Sequence, residues 1–149
     1  LLSPFVDLAL SGLSSFTHQR IDPMLSRAWL RQGALMYAGH RLRQNPLCSP
    51  LYGEFGGLPP MLIQVGSDEL LLDDAQRLAQ RAAVHGARVR LTMFSGMWHV
   101  FQLLVGWIKP ADQAMQQVVE FIGECRHVPI TVPDSGRVAS STSLQVSSL

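Results

Sequence analysis

Residues 60–66 read Pro-Met-Leu-Ile-Gln-Val-Gly, a short and nearly continuous apolar run between two residues that break regular structure. Such a run is typical of a β-strand that is buried on both faces. Residues 88–94 alternate between polar and apolar side chains, which predicts a second strand near a sheet edge. Between them, Asp73 and Asp74 open a segment whose apolar residues recur at helical spacing until Gly86. The order strand, helix, strand predicts an α/β fold with parallel neighbouring strands.

Further segments flank this unit on both sides. A helix is predicted over 23–38, with Asp22 as its cap and a proline in its first position. Residues 39–60 are rich in Gly, Pro and Asn, which predicts a long loop. Residues 1–21 are interpreted as a strand end that runs into a loop. A last helix is predicted over 110–126, with an apolar face formed by Ala111, Ala114, Met115, Val118, Ile122 and Cys125.

The composition indicates one globular domain and excludes two classes of partner. The chain has 149 residues, of which 47% are apolar and 15% charged, so it is too apolar for a disordered protein. Its 12 Lys+Arg and 11 Asp+Glu nearly cancel, so the charge footprint of a nucleic-acid-binding protein is absent. The apolar stretches fall well short of the roughly 20 residues that cross a bilayer. We therefore expect a soluble protein with no nucleic-acid partner and no membrane span.

The low charged fraction, against a usual level of about 25%, suggests that much of this surface is covered by something else. The chain begins without an initiating Met or a basic leader, so we expect a piece of a longer protein and no signal peptide. Residues 127–149 hold six serines and no helical period, which predicts a disordered tail after a domain over residues 1–126. Cys48 and Cys125 lie in no metal-binding spacing, which favours free thiols, a reducing compartment and the cytoplasm.

Side chains that can carry chemistry follow both predicted strands. Asp68 and Glu69 lie in the loop after the first strand, and His99 lies in the loop after the second. Parallel neighbouring strands are about 4.8 Å apart and end at the same edge of the sheet, so a carboxylate and the imidazole can hydrogen-bond there. A carboxylate that fixes the tautomer of a histidine is the arrangement used in acyl transfer.

Structural roles for the same residues stay open at this point. An acid just before a helix interacts favourably with the positive end of the helix dipole, which is a sufficient role for Asp68 or Glu69. His99 stands between Trp98 and Phe101, which also suits a partly buried packing residue. Spacing alone does not decide between a catalytic pair and these alternatives.

Six segments, in the same order along residues 1–126, carry a family resemblance. They are Ser3-Pro4-Phe5-Val6-Asp7-Leu8, Asp22-Pro23-Met24-Leu25, Ser49-Pro50-Leu51-Tyr52, residues 57–66, Glu69 with residues 71–74, and Gly96-Met97-Trp98-His99-Val100-Phe101. Together they closely resemble the bacterial hormone-sensitive-lipase-like esterases. The resemblance implies the C-terminal part of an α/β-hydrolase fold, with a parallel sheet that is incomplete in this chain.

The resemblance also implies roles for the polar residues. In that family the acid stands three residues after the glycine that ends the strand, and counting from Gly66 gives Glu69, with Asp68 as the alternative. His99 matches the catalytic histidine, which is the general base for acylation and then the general acid. Large apolar residues of the 23–38 helix, such as Trp29, are interpreted as core packing in preference to the lining of an acyl pocket.

An α/β-hydrolase also needs a serine in a G-x-S-x-G turn and an HGGG-type loop that supplies oxyanion donors. Neither motif occurs here, and because the serine precedes the acid in such chains, we expect the nucleophile upstream of Leu1. The resemblance therefore implies a serine carboxylesterase for small acyl esters, without cofactor or metal, whose chemistry this chain alone does not complete. The alternative is an inactive fragment that associates with another chain through an unpaired strand edge. By resemblance, a homodimer through the last strand is a further expectation.

Overall fold

The computed structural model describes residues 1–40 and 43–126, and the backbone of residues 144–148. The elements in chain order are a one-turn helix α1 (Ser14–Thr17), α2 (Arg27–Ala38), a 3₁₀ turn (Pro50–Tyr52), β1 (Met61–Gly66), α3 (Leu72–Val84), β2 (Val89–Phe94), a 3₁₀ turn (Phe101–Leu104), α4 (Lys109–Arg126) and β3 (Leu144–Ser148). The predicted tail at 127–149 falls mostly outside the described residues. The strand β3 within it was not predicted from the sequence.

The strands form a parallel sheet. β1 and β2 are neighbours, with Met61 opposite Val89, and β3 pairs with the other edge of β2, with Leu144 opposite Val89. On the far side of β1, Leu2 forms a parallel bridge with Gln64. This bridge is the strand end predicted at the start of the chain, and the predicted α/β fold with parallel strands is confirmed.

Helix α3 supplies most of the core because its inward face carries small side chains that approach the sheet closely. Ala75, Ala79 and Ala82 have no exposed surface and pack, with Leu78, against β1 and β2. The apolar spacing predicted for this helix is therefore confirmed. The chain leaves the helix through Gly86, whose φ of 87° lies in the left-handed region that glycine adopts without strain.

Helix α2 begins four residues later than the prediction over 23–38. Asp22 caps a preceding turn, since its Oδ1 accepts the N–H groups of Met24 and Leu25. Ser26 is the N-cap of the helix, with extended backbone and a hydroxyl that accepts the N–H of Trp29. Ser26, and not Asp22, is therefore the residue that caps the start of α2.

The interpretation of the large α2 side chains as core packing is wrong. Ala34 and Ala38 form the buried face of the helix, next to Leu8. Trp29 is 73% exposed and Met36 79% exposed. The inward face is narrow because only small side chains fit against the segment that carries Leu8, so the large side chains point away from it.

Helix α4 packs along the face of the sheet that carries Gln64 and Arg90. Its first turns bury Ala111 and Ala114 against Phe94 and Phe101, whose ring centroids lie 4.8 Å apart. Farther along, Ile122 is half exposed, so the predicted apolar face is buried only in its first half. The same helix also satisfies the one polar residue inside β1: the amide of Gln64 donates to the carbonyl of Ala114 at 2.9 Å.

Candidate active site

The loops that follow β1 and β2 meet at one edge of the sheet. The N–H of Asp68 donates to the carbonyl of Met97 at 3.0 Å, and the N–H of Gly96 donates to the hydroxyl of Ser67 at 2.8 Å. Gly66 makes this contact possible, because a Cβ at that position would lie 2.1 Å from the carbonyl oxygen of Met97. The parallel register of the two strands thus places the two loops against each other, as predicted from the sequence.

Glu69 and His99 are brought together by this packing. The Glu69 side chain is fully buried, and its Oε2 lies 3.7 Å from Nδ1 of His99, whose side chain is 20% exposed. Glu69 Oε1 and His99 Nδ1 are both buried without a hydrogen-bond partner. The two side chains therefore lie within ion-pair distance, with Nδ1 of His99 facing the Glu69 carboxylate and no other polar group of the described residues.

The other ring nitrogen of His99 is placed differently. Among the described residues, Nε2 has no hydrogen-bond partner, while Nδ1 on the opposite side of the ring is enclosed beside Glu69. An imidazole held by a carboxylate at Nδ1 carries its proton there and leaves a lone pair on Nε2. The arrangement can therefore accept a proton from a hydroxyl that approaches Nε2.

Asp68, the alternative acid, makes other contacts. Its Oδ1 accepts the hydroxyl of Ser67 at 2.6 Å, and its side chain is half-buried. Within the described part of the chain, only Glu69 lies within ion-pair distance of His99. The structure thus brings Glu69, and not Asp68, to the histidine.

Sequence reasoning did not single out Ser3 as part of this site. Ser3 is buried, and its hydroxyl donates to Oε2 of Glu69 at 2.8 Å while it accepts the N–H of Val100 at 3.0 Å. Ser3 has a φ of 46° and Val100 a φ of 47°, both in the left-handed region. A β-branched residue such as Val100 adopts this conformation only when its surroundings impose it. No local pattern predicts either conformation, because both depend on contacts between distant segments.

Two buried side chains before α2 hold the backbone next to Glu69. Asp22 accepts the N–H of Leu70 at 3.0 Å, and the hydroxyl of Ser14 donates to the carbonyl of Leu70 at 2.7 Å. Ser14 also accepts the N–H of Asp73 at 3.0 Å. The loop that carries Glu69 is therefore fixed from both sides by hydrogen bonds.

A cluster of charges underlies the start of α3. Asp7 and Asp74 are buried and share Arg77, whose Nη2 lies 3.0 Å from each carboxylate. Burial raises the pKa of Asp74 to about 6, although the N–H groups of Val6 and Asp7 and the charge of Arg77 act in the opposite direction. Burial also opposes ionisation of Asp7, but hydrogen bonds from Ser11 and Arg77 outweigh it, so the pKa of Asp7 is lowered.

An apolar cavity of about 400 Å³ lies between α2 and the first segment of the chain. Phe5, Leu8, Leu25 and Trp29 are among the side chains that line it. Across the described residues, no group of three or more His, Cys, Asp or Glu side chains is placed to hold a metal ion. Within the same part of the chain, no helix combines the length and hydropathy needed to cross a membrane.

Comparisons with known proteins agree with this architecture. Residues 1–103 match the sequence model of a protein family with the alpha/beta hydrolase fold. The chain is 38% identical over 122 residues to an esterase of Acinetobacter venetianus and 38% identical over 122 residues to an acetyl-hydrolase of Streptomyces hygroscopicus. These matches cover 81% and 82% of this chain and 40% of each relative.

Solved structures give the same result. A crystal structure of an esterase from the bacterial hormone-sensitive lipase family superimposes with a TM-score of 0.80 at 37% identity, covering 83% of this chain and 42% of that one. An esterase crystal soaked with p-nitrophenyl butyrate gives a TM-score of 0.78 at 32% identity, covering 83% and 41%. The chain belongs to the α/β-hydrolase fold family and is similar to bacterial hormone-sensitive-lipase-like esterases. It spans about two fifths of the length of the relatives that it matches.

Proposed function

We propose that this chain supplies the acid and the histidine of a serine carboxylesterase. The observation that carries the proposal is the buried Glu69 carboxylate 3.7 Å from Nδ1 of His99, at the sheet edge where the loops after β1 and β2 meet. A buried carboxylate beside an imidazole with one accessible nitrogen is suited to general base catalysis. The esterase and acetyl-hydrolase names of the relatives support the same reaction class.

In the proposed reaction, His99 takes the hydroxyl proton of a serine nucleophile through Nε2 and returns a proton to the leaving alcohol. Glu69 keeps the ring in the tautomer with its proton on Nδ1 and stabilises the imidazolium that forms. Ser3 does not serve as the nucleophile, since its buried hydroxyl is held by Glu69 and Val100. The sequence contains no G-x-S-x-G turn and no HGGG-type loop. We therefore propose that serine and oxyanion donors come from outside these 149 residues and that the chain alone is inactive.

The proposed substrates are small acyl esters, attacked through an acyl-enzyme intermediate. The acetyl-hydrolase among the relatives supports a short acyl chain. The soaking of a similar esterase with p-nitrophenyl butyrate makes nitrophenyl esters suitable probes. Cys48 and Cys125 are both free thiols, which supports a reducing compartment such as the cytoplasm.

A chimera tests this function. Residues 1–126 replace the matching region of the Acinetobacter venetianus esterase, whose remaining sequence is kept. We expect hydrolysis of p-nitrophenyl acetate and butyrate, with kcat/KM lowered roughly 10⁴-fold by His99→Ala and roughly 10³-fold by Glu69→Gln. The matched control Asp68→Asn changes kcat/KM by less than about threefold.

Each result decides between the alternatives. A folded chimera that is inactive, or one in which His99→Ala has no effect, contradicts the proposed function. A large loss in Asp68→Asn with none in Glu69→Gln transfers the role of the acid to Asp68. The isolated 149-residue chain is expected to give no hydrolysis above buffer, and a rate that disappears with His99→Ala contradicts the external serine.

A second candidate function is association with another chain without catalysis. It is favoured by large apolar side chains on the surface, such as Trp107, which is 87% exposed, and Leu103, which is 76% exposed. A homodimer through the last strand is one form of such association. Sedimentation of the purified chain separates these cases, because a single monomeric species over a wide concentration range counts against association.

A further inference from the structure

Ser3 joins the two loops of the candidate active site from a third segment of the chain. It lies 66 residues before Glu69 and 97 residues before Val100, yet it hydrogen-bonds to both. A serine hydroxyl has one proton to donate, and in Ser3 this proton is directed to Oε2 of Glu69. The same oxygen atom of Glu69 is the one nearest to His99.

The backbone conformations around this hydroxyl are adapted to the contact. Ser3 and Val100 both have positive φ values, and Val100 directly follows His99. The left-handed turn at Val100 aims its N–H at Ser3, so one hydroxyl fixes both the carboxylate and the backbone beside the histidine. Two unfavourable conformations that converge on one side chain point to a requirement for that side chain.

The contact also settles which way the carboxylate faces. Glu69 is fully buried and its Oε1 has no partner, so the hydrogen bond from Ser3 to Oε2 is what orients the group. Without that bond, rotation of the carboxylate toward another donor would move Oε2 away from Nδ1 of His99. The orientation of Glu69 therefore depends on Ser3.

We infer that Ser3 is a positioning residue that holds the Glu69 carboxylate toward His99 and fixes the backbone turn after the histidine. This inference rests on the proposed function, in which Glu69 orients the imidazole. Ser3 acts through Glu69, so it selects the His99 tautomer whose proton is on Nδ1 and whose Nε2 is ready to accept a proton.

The tautomer of His99 is the direct measurement. The 149-residue chain is labelled with nitrogen-15 at histidine, and the ring nitrogens of His99, identified with a His99→Gln variant, are observed by NMR under conditions where the ring is neutral. Wild type is expected to be mainly the Nδ1–H tautomer. Ser3→Ala is expected to lower the ratio of Nδ1–H to Nε2–H at least about threefold. Ser3→Gly, which removes the hydroxyl but suits the positive φ, is expected to do the same.

Two controls separate positioning from a merely structural role. Ser15→Ala removes another buried hydroxyl, whose hydrogen bonds to the carbonyls of Leu10 and Gly12 lie outside the two site loops, and it is expected to leave the tautomer ratio unchanged. In a Glu69→Gln background, Ser3→Ala is expected to add less than about a 1.5-fold change, because its partner is already altered. Circular dichroism verifies that each variant is folded.

The inference is overturned by a folded Ser3→Ala or Ser3→Gly variant that keeps the wild-type ratio. It is also overturned by an equal change in Ser15→Ala, or by an undiminished effect in the Glu69→Gln background. In the chimera, Ser3→Ala is expected to lower kcat about 10-fold or more with KM within about twofold. If Ser3→Ala lowers the tautomer ratio but the chimera without substitutions is inactive, the proposed function is refuted and the role of Ser3 is not. If that chimera is active but Ser3→Ala leaves the tautomer ratio unchanged, only the role of Ser3 is refuted.

Discussion

At the scale of single residues, Gly66 sets how closely the two site loops approach. Its own φ is not positive, so the requirement for glycine is steric: an added Cβ would meet the backbone of Met97 at 2.1 Å. We expect Gly66→Ala to lower the free energy of unfolding by about 3 kcal/mol, because backbone atoms must move to accept the methyl group. Urea unfolding measures this loss. Gly56→Ala, whose Cβ would contact nothing within 4 Å, is the matched control and should change stability by less than about 1 kcal/mol.

Asp74 is a second single residue with a measurable effect, because its contribution to the free energy of unfolding depends on pH. Its pKa is raised from 3.8 to about 6 in the folded chain, so the folded state binds a proton that the unfolded state has released between these values. Stability from this group therefore falls as the pH rises through this window, by up to about 3 kcal/mol. We expect Asp74→Asn to gain stability relative to wild type between pH 4 and pH 7 in urea titrations.

Asp7 provides the control for this prediction because its pKa shift has the opposite sign. A lowered pKa contributes stability that is present above the ordinary carboxylate pKa and is lost as the pH falls. The stability of Asp7→Asn relative to wild type should therefore decline as the pH rises toward the ordinary carboxylate pKa of 3.8, and it should stay level above that value. If Asp7→Asn also gains stability relative to wild type between pH 4 and pH 7, the assignment of opposite shifts within the Arg77 cluster is wrong.

At the scale of elements, α2 offers a paired test of helix energetics. Ser26 accepts the Trp29 N–H at the N-cap, so Ser26→Ala should destabilise the helix by about 1 kcal/mol. Gly33 lies inside the same helix with no atom within 4 Å of an added Cβ, so Gly33→Ala should stabilise it by about 1 kcal/mol. Hydrogen exchange of the α2 amides measures both effects. Equal changes in the amides of α3 would show that the effects are global and contradict the local explanation.

The elements also show what the sequence alone can predict. The strands near residues 61–65 and 88–94 and the helix between them follow from periodicity and from Gly and Pro at their ends, and the structure confirms them. The start of α2 was placed too early because two capping signals compete within five residues. The parallel topology predicts that Asp68 or Glu69 lies near His99, and the family resemblance selects Glu69, which the structure places 3.7 Å from the ring. The contribution of Ser3 is not predicted, because local patterns indicate a strand end near Leu2 but do not report that it pairs with Gln64 of β1, which brings Ser3 to Glu69.

At the scale of the whole molecule, the site depends on segments that are far apart in sequence. Leu2 lies beside β1, which places Ser3 next to Glu69, while Asp22 and Ser14 hold Leu70 from the region before α2. The loop after β2 then brings His99 to the same point. Each contact closes a long loop of chain, so the site forms only when the described domain is folded as a unit.

The edge of β2 that faces away from β1 is paired with β3. β3 pairs with β2 over Leu144–Ser148 and satisfies backbone groups that would otherwise form an open edge, which favours association with other chains. We expect deletion of residues 127–149 to increase self-association, seen as a concentration-dependent rise in sedimentation coefficient relative to the full chain. Val146→Pro keeps the chain length but interrupts β3 opposite Leu91, so it should reproduce the effect of the deletion. Self-association of the deletion variant that does not exceed that of the full chain would mean that β3 does not protect the β2 edge.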